Sequence, residues 1–513
     1  MRYSIIILLI LVGIGCSEKK QNVARWPYGV NYEVFVMAFA DANGDGKGDI
    51  KGLTSKLDYL KDLGVGGLWL MPIMPSDTYH KYHVIDYKNI DPDYGTIEDF
   101  KNFMAEAHKQ NIKVIIDYVI NHSGNMHPWF LDARKGPDSP YRDYYVWAKK
   151  DSIRNQLKKK TTHFDSDNIN QWHAVNGDTT GEQYYGYFND LCPDLNLDNP
   201  KVKAEVVDIA KFWLTEMQVD GFRLDAARHV FPSERDPDNH AFWVWFRDEM
   251  QKIKPDVYLV GEVWQDAAKV GPYLKGIPAL FNFDMGYAIT STVNMQADSN
   301  GLVKKYKEIN DFYKTITPDF IDATFIKNHD QNRILSELGG DLNKMKVAAG
   351  ILFTLPGTPY VYYGEEIGML GTKPDPQIRE PFIWNQDKKD PMQSAWAPAV
   401  HSTDKTVVPE VAQEKDPNSL LNFYKKWIAY RNSSDALTYG DLELSPFADV
   451  RVVSLIRSKG NQKVLALHNL SNEDITIELK LIPGFKSLDF NSGNARIEGE
   501  KLLLPGYCSV MLK

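Results

Sequence analysis

The chain has 513 residues, of which 43% are hydrophobic and 25% charged, and its formal net charge is -9 at pH 7. This composition is typical of a soluble globular protein with more than one domain. The negative charge argues against nucleic acid or an anionic membrane surface as the main partner.

The first sixteen residues, MRYSIIILLILVGIGC, combine one early arginine, an apolar run and small residues that end at Cys16. The run is shorter than the roughly 20 apolar residues of a membrane-spanning helix, and it is typical of an export signal. It resembles a bacterial lipoprotein cleavage site, with residues 1–16 as signal and Cys16 lipidated; a plain signal peptide or retained anchor is the alternative. We therefore expect an exported protein that faces the periplasm or cell exterior and touches the membrane only through this lipid.

The stretch DANGDGKGDIKG, residues 41–52, follows the first strand-like run. Its oxygen-bearing side chains alternate with glycines, as at the start of a calcium-binding EF-hand. An EF-hand also needs a bidentate Glu at its twelfth position, where this chain has Gly52, and helices on both sides. The sequence therefore predicts a calcium-type loop outside an EF-hand, with an ion-free turn as the alternative.

Strand-like and helix-like segments then alternate along the chain, with helical patterns at 52–64, 96–111 and 200–218, for instance. The strand-like runs are 32–39, 66–73, 113–120, 221–227, 257–264, 280–286, 323–329 and 360–366. Such alternation predicts a parallel sheet, and eight units predict a closed α/β barrel, the (β/α)8 or TIM barrel. An open doubly wound sheet is the alternative, but no Gly-x-Gly-x-x-Gly turn supports it.

Two regions depart from this rhythm. Residues 123–195 are polar and aromatic without alternation, which predicts a domain inserted after the third strand. Residues 437–513 contain short alternating runs and predict a C-terminal antiparallel β-sandwich, so the barrel comprises residues 25–122 and 196–436. The remaining cysteines, Cys192 and Cys508, are far apart, and we expect two buried unpaired thiols, with a disulfide between them as the alternative in an exported protein.

Polar side chains cluster where the predicted strands end, in DYVINH (117–122), GFRLDAARH (221–229), GEVW (261–264) and IKNHD (326–330). In a barrel these ends form one mouth, which would bring Asp225, Glu262 and Asp330 together with Arg223, His122 and His329. One buried charge of this kind is more often a structural ion pair, because burial is costly unless the charge is paired or used. Three carboxylates with Arg and His between them indicate an active site.

These motifs, together with CPDLN (192–196), resemble those of the alpha-amylase family of glycoside hydrolases over about residues 25–513. The resemblance implies a (β/α)8 barrel with the inserted and C-terminal domains described above. It also implies that Asp225 is the nucleophile, Glu262 the general acid/base and Asp330 the stabiliser of the transition state.

The same resemblance implies further site residues. Tyr82, in YHKYHVIDY, would stack on the sugar, although the next residue, His83, replaces an Asp common in oligosaccharide-specific members. The other substrate-binding residues would be His122, Arg223, Arg228, His229 and His329. A structural Ca²⁺ would bind Asp41, Asn43, Asp45, Asp49 and the carbonyl of Lys47. A second would bind Asn121, Asp165 or Asp167, and the carbonyl of His229.

The resemblance therefore implies a monomeric, retaining hydrolase of α-1,4-glucosidic bonds in starch and maltooligosaccharides. Such an enzyme needs two carboxyls about 5–5.5 Å apart, one ionised and one protonated. We expect the charges of Asp225 and Asp330 to raise the pKa of Glu262. The alternatives are an α-glucosidase, an oligo-1,6-glucosidase, a neopullulanase-like enzyme, a transglycosylase such as trehalose synthase, and a non-catalytic glucan-binding relative.

Overall fold

The chain folds around a closed barrel of eight parallel strands, in a computed structural model that describes residues 25–159, 171–178, 180–385 and 390–513. The strands follow one another in chain order and the eighth pairs with the first: Asn31–Val34, Gly67–Leu70, Lys113–Tyr118, Gly221–Leu224, Tyr258–Gly261, Ala279–Phe281, Ile321–Phe325 and Thr358–Tyr362. The predicted (β/α)8 barrel is confirmed.

Each predicted strand-like run overlaps a barrel strand, but two of the runs continue into segments that are helical. Val36–Phe39 is a short helix, and Phe283 begins the helix Phe283–Met295. Both segments are buried apolar runs, and such runs do not distinguish a strand from a buried helix by periodicity.

Helices alternate with the strands and cover the outside of the barrel. In chain order the main ones are Ile50–Ser55, Leu57–Leu63, Ile97–Lys109, Pro200–Lys211, Asp236–Ile253, Phe283–Met295, Leu302–Ile316, Leu342–Thr354 and Leu420–Ser433. The helix predicted at 52–64 is split at Lys56, and the one predicted at 200–218 continues as a π-helical turn, Phe212–Glu216. Inside the barrel, side chains such as Trp69, Val260 and Phe281 form an apolar core, so the barrel is packed and has no pore.

Between the third and fourth strands the chain leaves the barrel and forms a small antiparallel sheet. Its strands lie in the order Trp147–Lys149, Glu182–Tyr185 and Trp172–Ala174. The outgoing and returning chains run side by side, because the Leu195 N–H donates to the Asn121 carbonyl at 2.9 Å. The insertion is thereby fixed directly beside the end of the third strand.

The C-terminal part is an antiparallel β-sandwich, as predicted. One sheet has the strand order Asp441–Leu444, Val452–Lys459, Gln462–Asn469, Ser509–Leu512 and Leu488–Asn491, and the other has the order Ile475–Glu478, Lys501–Leu504 and Arg496–Glu498. The two sheets enclose one apolar core.

Two buried arginines bond the end of one barrel helix, and one of them, Arg457, reaches it from the sandwich. Arg457, on the strand Val452–Lys459, donates to the Thr354 carbonyl at 2.8 Å. Arg431, on the last barrel helix, donates to the carbonyls of Phe353 at 2.7 Å and Leu355 at 2.9 Å. Both guanidiniums therefore satisfy carbonyl groups at the end of the helix Leu342–Thr354, which lack partners within that helix.

Cys192 and Cys508 are buried free thiols, which confirms the expectation for both. Within the described ranges, no helix is both long enough and apolar enough to cross a membrane. The predicted signal segment and Cys16 lie outside the described residues.

Candidate active site

Two acidic residues at the carboxyl-terminal mouth of the barrel share one arginine. Asp225 follows the fourth strand and Glu262 follows the fifth. Arg223 Nη1 donates to Asp225 Oδ1 at 2.5 Å, and Arg223 Nη2 donates to Glu262 Oε2 at 2.7 Å. Because a single planar guanidinium bonds both groups, the two carboxyls face the same small space.

Asp117 and Tyr82 form the wall behind this arginine. Asp117 is fully buried and accepts hydrogen bonds from Arg223 Nη1 at 2.8 Å, the Tyr82 hydroxyl at 3.0 Å and Trp69 Nε1 at 3.3 Å. The ring of Tyr82 stacks on His329 with centroids 5.7 Å apart. Tyr82 therefore lies in the mouth of the barrel, where the sequence predicted it.

Asp330, the third predicted carboxylate, is held by two cationic side chains. His329 Nε2 lies 3.1 Å from Asp330 Oδ2, and Arg379 Nη2 donates to Asp330 Oδ1 at 2.9 Å. Arg379 also donates through Nε to the His329 carbonyl at 3.0 Å. The structure thus brings all three predicted carboxylates to one end of the barrel.

The surroundings shift the pKa values of these carboxyls in different directions. Burial raises the pKa of Glu262; the Arg223 guanidinium opposes this, and the charges of Asp225 and Asp330 add to it. Burial also raises the pKa of Asp225, against the opposing charge of Arg223. For Asp330, burial is outweighed by His329 and Arg379, so its pKa is lowered. The sequence-based account of Glu262 was incomplete, because burial is the larger cause.

The remaining predicted sugar contacts lie beside the inserted sheet. His122 is buried, its Nε2 lies 3.3 Å from the Tyr82 carbonyl, and burial lowers its pKa to about 3, so the ring is neutral. His229 stacks on Tyr187 with centroids 3.9 Å apart, and Arg228 is also buried. Phe188, whose ring contacts His122, is 42% exposed and gives this side of the mouth an aromatic rim.

The loop predicted to bind calcium is ordered by its own hydrogen bonds. Asp41 accepts three backbone N–H groups at 2.7–3.0 Å, and Asp49 accepts two and caps the helix Ile50–Ser55. Asn43 and Asp45 each accept one N–H at 2.8 Å. In the described part of the chain, no three His, Cys, Asp or Glu side chains converge as metal ligands. The hard oxygen atoms nevertheless suit Ca²⁺, and the lysines Lys47 and Lys81 pair with Asp93.

One buried atom at the second predicted metal site lacks a partner. Asn121 Oδ1 has no hydrogen bond to any described residue, and Asn121 Nδ2 donates to Asp194 Oδ1 at 3.4 Å. An unpaired buried amide oxygen beside a carboxylate fits a hard cation. Asp165 and Asp167, the predicted acidic ligands, lie outside the described residues, and Asp194 is the described carboxylate beside Asn121.

Sequence reasoning missed three charged residues of the mouth, namely Glu33, Asp117 and Arg379. Asp117 lies inside the DYVINH motif, and Glu33 is an acidic residue within a predicted barrel strand. Both positions could therefore have been predicted from the sequence as site residues. Arg379 lies in a loop with no periodic pattern, and only the fold places it against Asp330.

A (β/α)8 barrel with two carboxyls on one arginine at its carboxyl-terminal mouth has the architecture and acid pair of a glycoside hydrolase. The family model described as "Alpha amylase, catalytic domain" matches residues 33–440, and "Alpha-amylase SusG C-terminal domain" matches residues 452–511. The chain belongs to the alpha-amylase family and is a glycoside hydrolase.

Individual relatives span almost the whole chain. It is 40% identical to Alpha-amylase 3 of Dictyoglomus thermophilum, over 100% of this chain and 98% of that protein. It is 33% identical to a 4-alpha-glucanotransferase of Thermotoga maritima, over 88% of this chain and 97% of that protein. The solved alpha-amylase from H. orenii is 42% identical, with a TM-score of 0.85, over 94% of this chain and 99% of that one.

Proposed function

We propose that this enzyme hydrolyses α-1,4-glucosidic bonds in starch and maltooligosaccharides with retention of configuration. Asp225 is the nucleophile, Glu262 the general acid/base, and Asp330 stabilises the transition state. The observation that carries the proposal is the Arg223 guanidinium, which bonds Asp225 and Glu262 at once. The similarity to alpha-amylases over the whole chain supports the choice of substrate.

The electrostatics assign the proton to Glu262. Burial raises the pKa of both Asp225 and Glu262, so the pair retains a proton more readily than isolated carboxyls would. Arg223 opposes the rise in the pKa of Asp225 through both its charge and its hydrogen bond, whereas the charges of Asp225 and Asp330 both add to the rise for Glu262, so Asp225 is the better stabilised anion. This arrangement leaves an ionised nucleophile beside a protonated acid.

The two steps follow from these protonation states. Asp225 attacks the anomeric carbon as Glu262 gives its proton to the departing glycosidic oxygen, and a glycosyl-enzyme ester forms. Glu262, now ionised, takes a proton from water, which attacks the same carbon and releases Asp225. Asp330 remains charged throughout, because His329 and Arg379 lower its pKa. Proton NMR of the first products from maltopentaose tests this, and β-configured products would contradict it.

A second reaction, transfer to a sugar acceptor, is favoured by an exposed aromatic residue two positions after Glu262 in the chain. Trp264 is 42% exposed and stacks by one face on Phe283, with centroids 4.5 Å apart. A sugar that stacked there would be placed to compete with water for the glycosyl-enzyme.

A time course on amylose, pullulan and maltotriose separates the alternatives. Mid-chain fragments indicate an amylase, and glucose alone indicates an α-glucosidase. Panose indicates a neopullulanase, and longer maltooligosaccharides indicate a transferase.

We further propose that Ca²⁺ binds the loop of residues 41–49 and orders it. The support is its oxygen-only donor set and the pairing of Lys47, the loop's own cation, with Asp93 and not with Asp41 or Asp49. The ion would be structural and takes no part in the steps above. Calorimetry with added Ca²⁺ should give saturable heat that Asp45→Ala removes; equal heat from that variant would contradict the site.

Export and attachment through Cys16 remain proposals supported by the sequence of residues 1–16. Cys16→Ala expressed in a bacterial host should move the protein from the membrane pellet to the soluble fraction.

We also propose that the enzyme is a monomer. Light scattering of the chain that begins at residue 25 measures its molar mass and tests this proposal.

A further inference from the structure

A buried carboxylate on the first barrel strand contacts an active-site histidine. Glu33 is 2% exposed and His329 is 1% exposed, and Glu33 Oε1 lies 2.5 Å from His329 Nδ1. On the other side of the ring, His329 Nε2 lies 2.7 Å from the Tyr82 hydroxyl and 3.1 Å from Asp330 Oδ2. The imidazole is therefore placed between two carboxylates.

This placement determines the protonation of the ring. An ionised carboxylate only accepts hydrogen bonds, whereas a neutral imidazole has one N–H and one bare nitrogen. With Glu33 at Nδ1 and Asp330 at Nε2, a neutral ring would direct a lone pair at one of the two anions. The doubly protonated ring donates from both nitrogens and removes that conflict.

We propose that Glu33 is a positioning residue that holds His329 as a permanent imidazolium and thereby fixes the hydrogen-bond chain behind the catalytic carboxylates. The inference rests on the proposed function, which gives Asp225, Glu262 and Asp330 their roles. With Nε2 protonated, the Tyr82 hydroxyl accepts from His329 and donates to Asp117 at 3.0 Å. Asp117 in turn accepts from Arg223, the arginine that holds Asp225 and Glu262.

The charges that face His329 favour the cation. Among the described residues these are Glu33, Asp117, Asp225, Glu262, Asp330, Arg223 and Arg379, with the hydroxyl of Tyr82 also in contact. With Glu262 protonated, four carboxylates and two guanidiniums still leave an excess of negative charge in a buried space, which an imidazolium reduces. Consistently, although burial lowers the pKa of His329, Asp330 and Glu33 raise it to about 10.

The matched variant is Glu33→Gln, which retains an acceptor oxygen at Nδ1 and removes the charge. His329 then loses one of its two anionic partners, so its pKa should fall by roughly one unit or more. Since the imidazolium is lost as pH rises through that pKa, kcat/KM should match the native enzyme within about threefold at low pH. As the pH is raised, kcat/KM of Glu33→Gln should begin to decline at a lower pH than kcat/KM of the native enzyme. A merely structural role would lower activity equally at every pH.

The direct measurement is NMR of the enzyme labelled with ¹⁵N in its 12 histidines, with His329→Gln used for assignment. The native His329 should keep the shifts of a doubly protonated ring from about pH 6 to about pH 9, whereas in Glu33→Gln the ring should begin to lose a proton within that range. Asp322→Asn, a change in a buried carboxylate that bonds Asn282 at 2.9 Å, should leave the titration unchanged.

A neutral His329 in the native enzyme near pH 8 would overturn the proposal, and so would an unchanged titration in Glu33→Gln. If Glu33→Gln does not fold, Glu33→Asp decides the role of the carboxylate. It preserves the charge and should keep His329 protonated to high pH, and a neutral ring in that variant would refute the assignment. The titration requires no substrate, so it remains measurable even if α-glucan hydrolysis were not found.

Discussion

Arg223 donates to Asp117, Asp225 and Glu262 from two nitrogens while remaining 1% exposed. The planar fork of an arginine can satisfy three such oxygens, whereas the compact ammonium of a lysine cannot span them. The position of the nucleophile relative to the acid is therefore set by one side chain that need not touch the substrate.

Replacing the nucleophile tests its assignment. Asp225→Asn keeps the shape of the side chain and removes the attacking anion, so turnover of maltooligosaccharides should fall by about 10⁴-fold or more. The melting temperature should stay close to that of the native enzyme, and Asp208→Asn, a change on the exposed surface, should leave kcat unaltered. Substantial residual kcat in Asp225→Asn would show that another group attacks.

Arg223→Lys should alter the pH profile as well as the rate. Arg223 lowers the pKa of Asp225 through its charge and its hydrogen bond; a lysine keeps the charge but loses the forked hydrogen bonds, so that pKa should rise and the acidic limb of kcat/KM should move to higher pH. We expect kcat to fall by about 100-fold, because the lysine cannot orient both carboxyls. An acidic limb at the native position would show that Arg223 does not control Asp225.

At the scale of elements, ion pairs join the predicted calcium loop to the loop that carries Tyr82. Lys47 Nζ lies 2.6 Å from Asp93, and Lys81 Nζ lies 2.9 Å from both Asp93 and Asp91. Lys81 is buried and has a φ of 63°, a left-handed conformation that non-glycine residues adopt at a cost. The paired carboxylates offset that cost and hold the residue that precedes Tyr82.

Lys81→Met should therefore loosen this wall of the active site. It leaves the buried Asp91 without its cation, which should lower the free energy of unfolding by about 3 kcal/mol, and a mobile Tyr82 should raise KM. Differential scanning calorimetry and initial rates measure the two effects. Lys51→Met, at a side chain 69% exposed, is the matched control and should change neither by much. A native KM in Lys81→Met would show that Tyr82 is held by other contacts.

The barrel strands and the three carboxylates could be predicted because each signal is local: an apolar run, then polar residues at its end. Glu33 could not be assigned in this way, because its partner His329 lies 296 residues further along the chain and meets it only when the barrel closes. Arg379 approaches Asp330 from a loop after the eighth strand. Charges that act across the barrel depend on its closure, which local patterns do not encode.

At the scale of the whole molecule, the β-sandwich and the barrel share a continuous apolar core. Val453, Leu455, Ala466 and Met511 of the sandwich are buried in the same cluster as the barrel helices. The two parts therefore should not separate into independently stable units.

Deletion of residues 441–513 should abolish the soluble enzyme. It would expose this apolar face and remove Arg457 from the Thr354 carbonyl, so the truncated chain should aggregate. Soluble yield and size-exclusion chromatography measure the outcome. A truncated chain that stayed monodisperse and active would show that the barrel is self-sufficient.

The arginine contacts at the end of the helix Leu342–Thr354 also restrict chimeras of this enzyme. A foreign sandwich fused after Tyr439 would meet the Thr354 carbonyl, which here is bonded to the buried Arg457. Shape and apolar surface would not suffice for such a graft, which must also present a donor at that point. Exchange of the sandwich should therefore succeed more often when the foreign sandwich carries an equivalent arginine on its second strand.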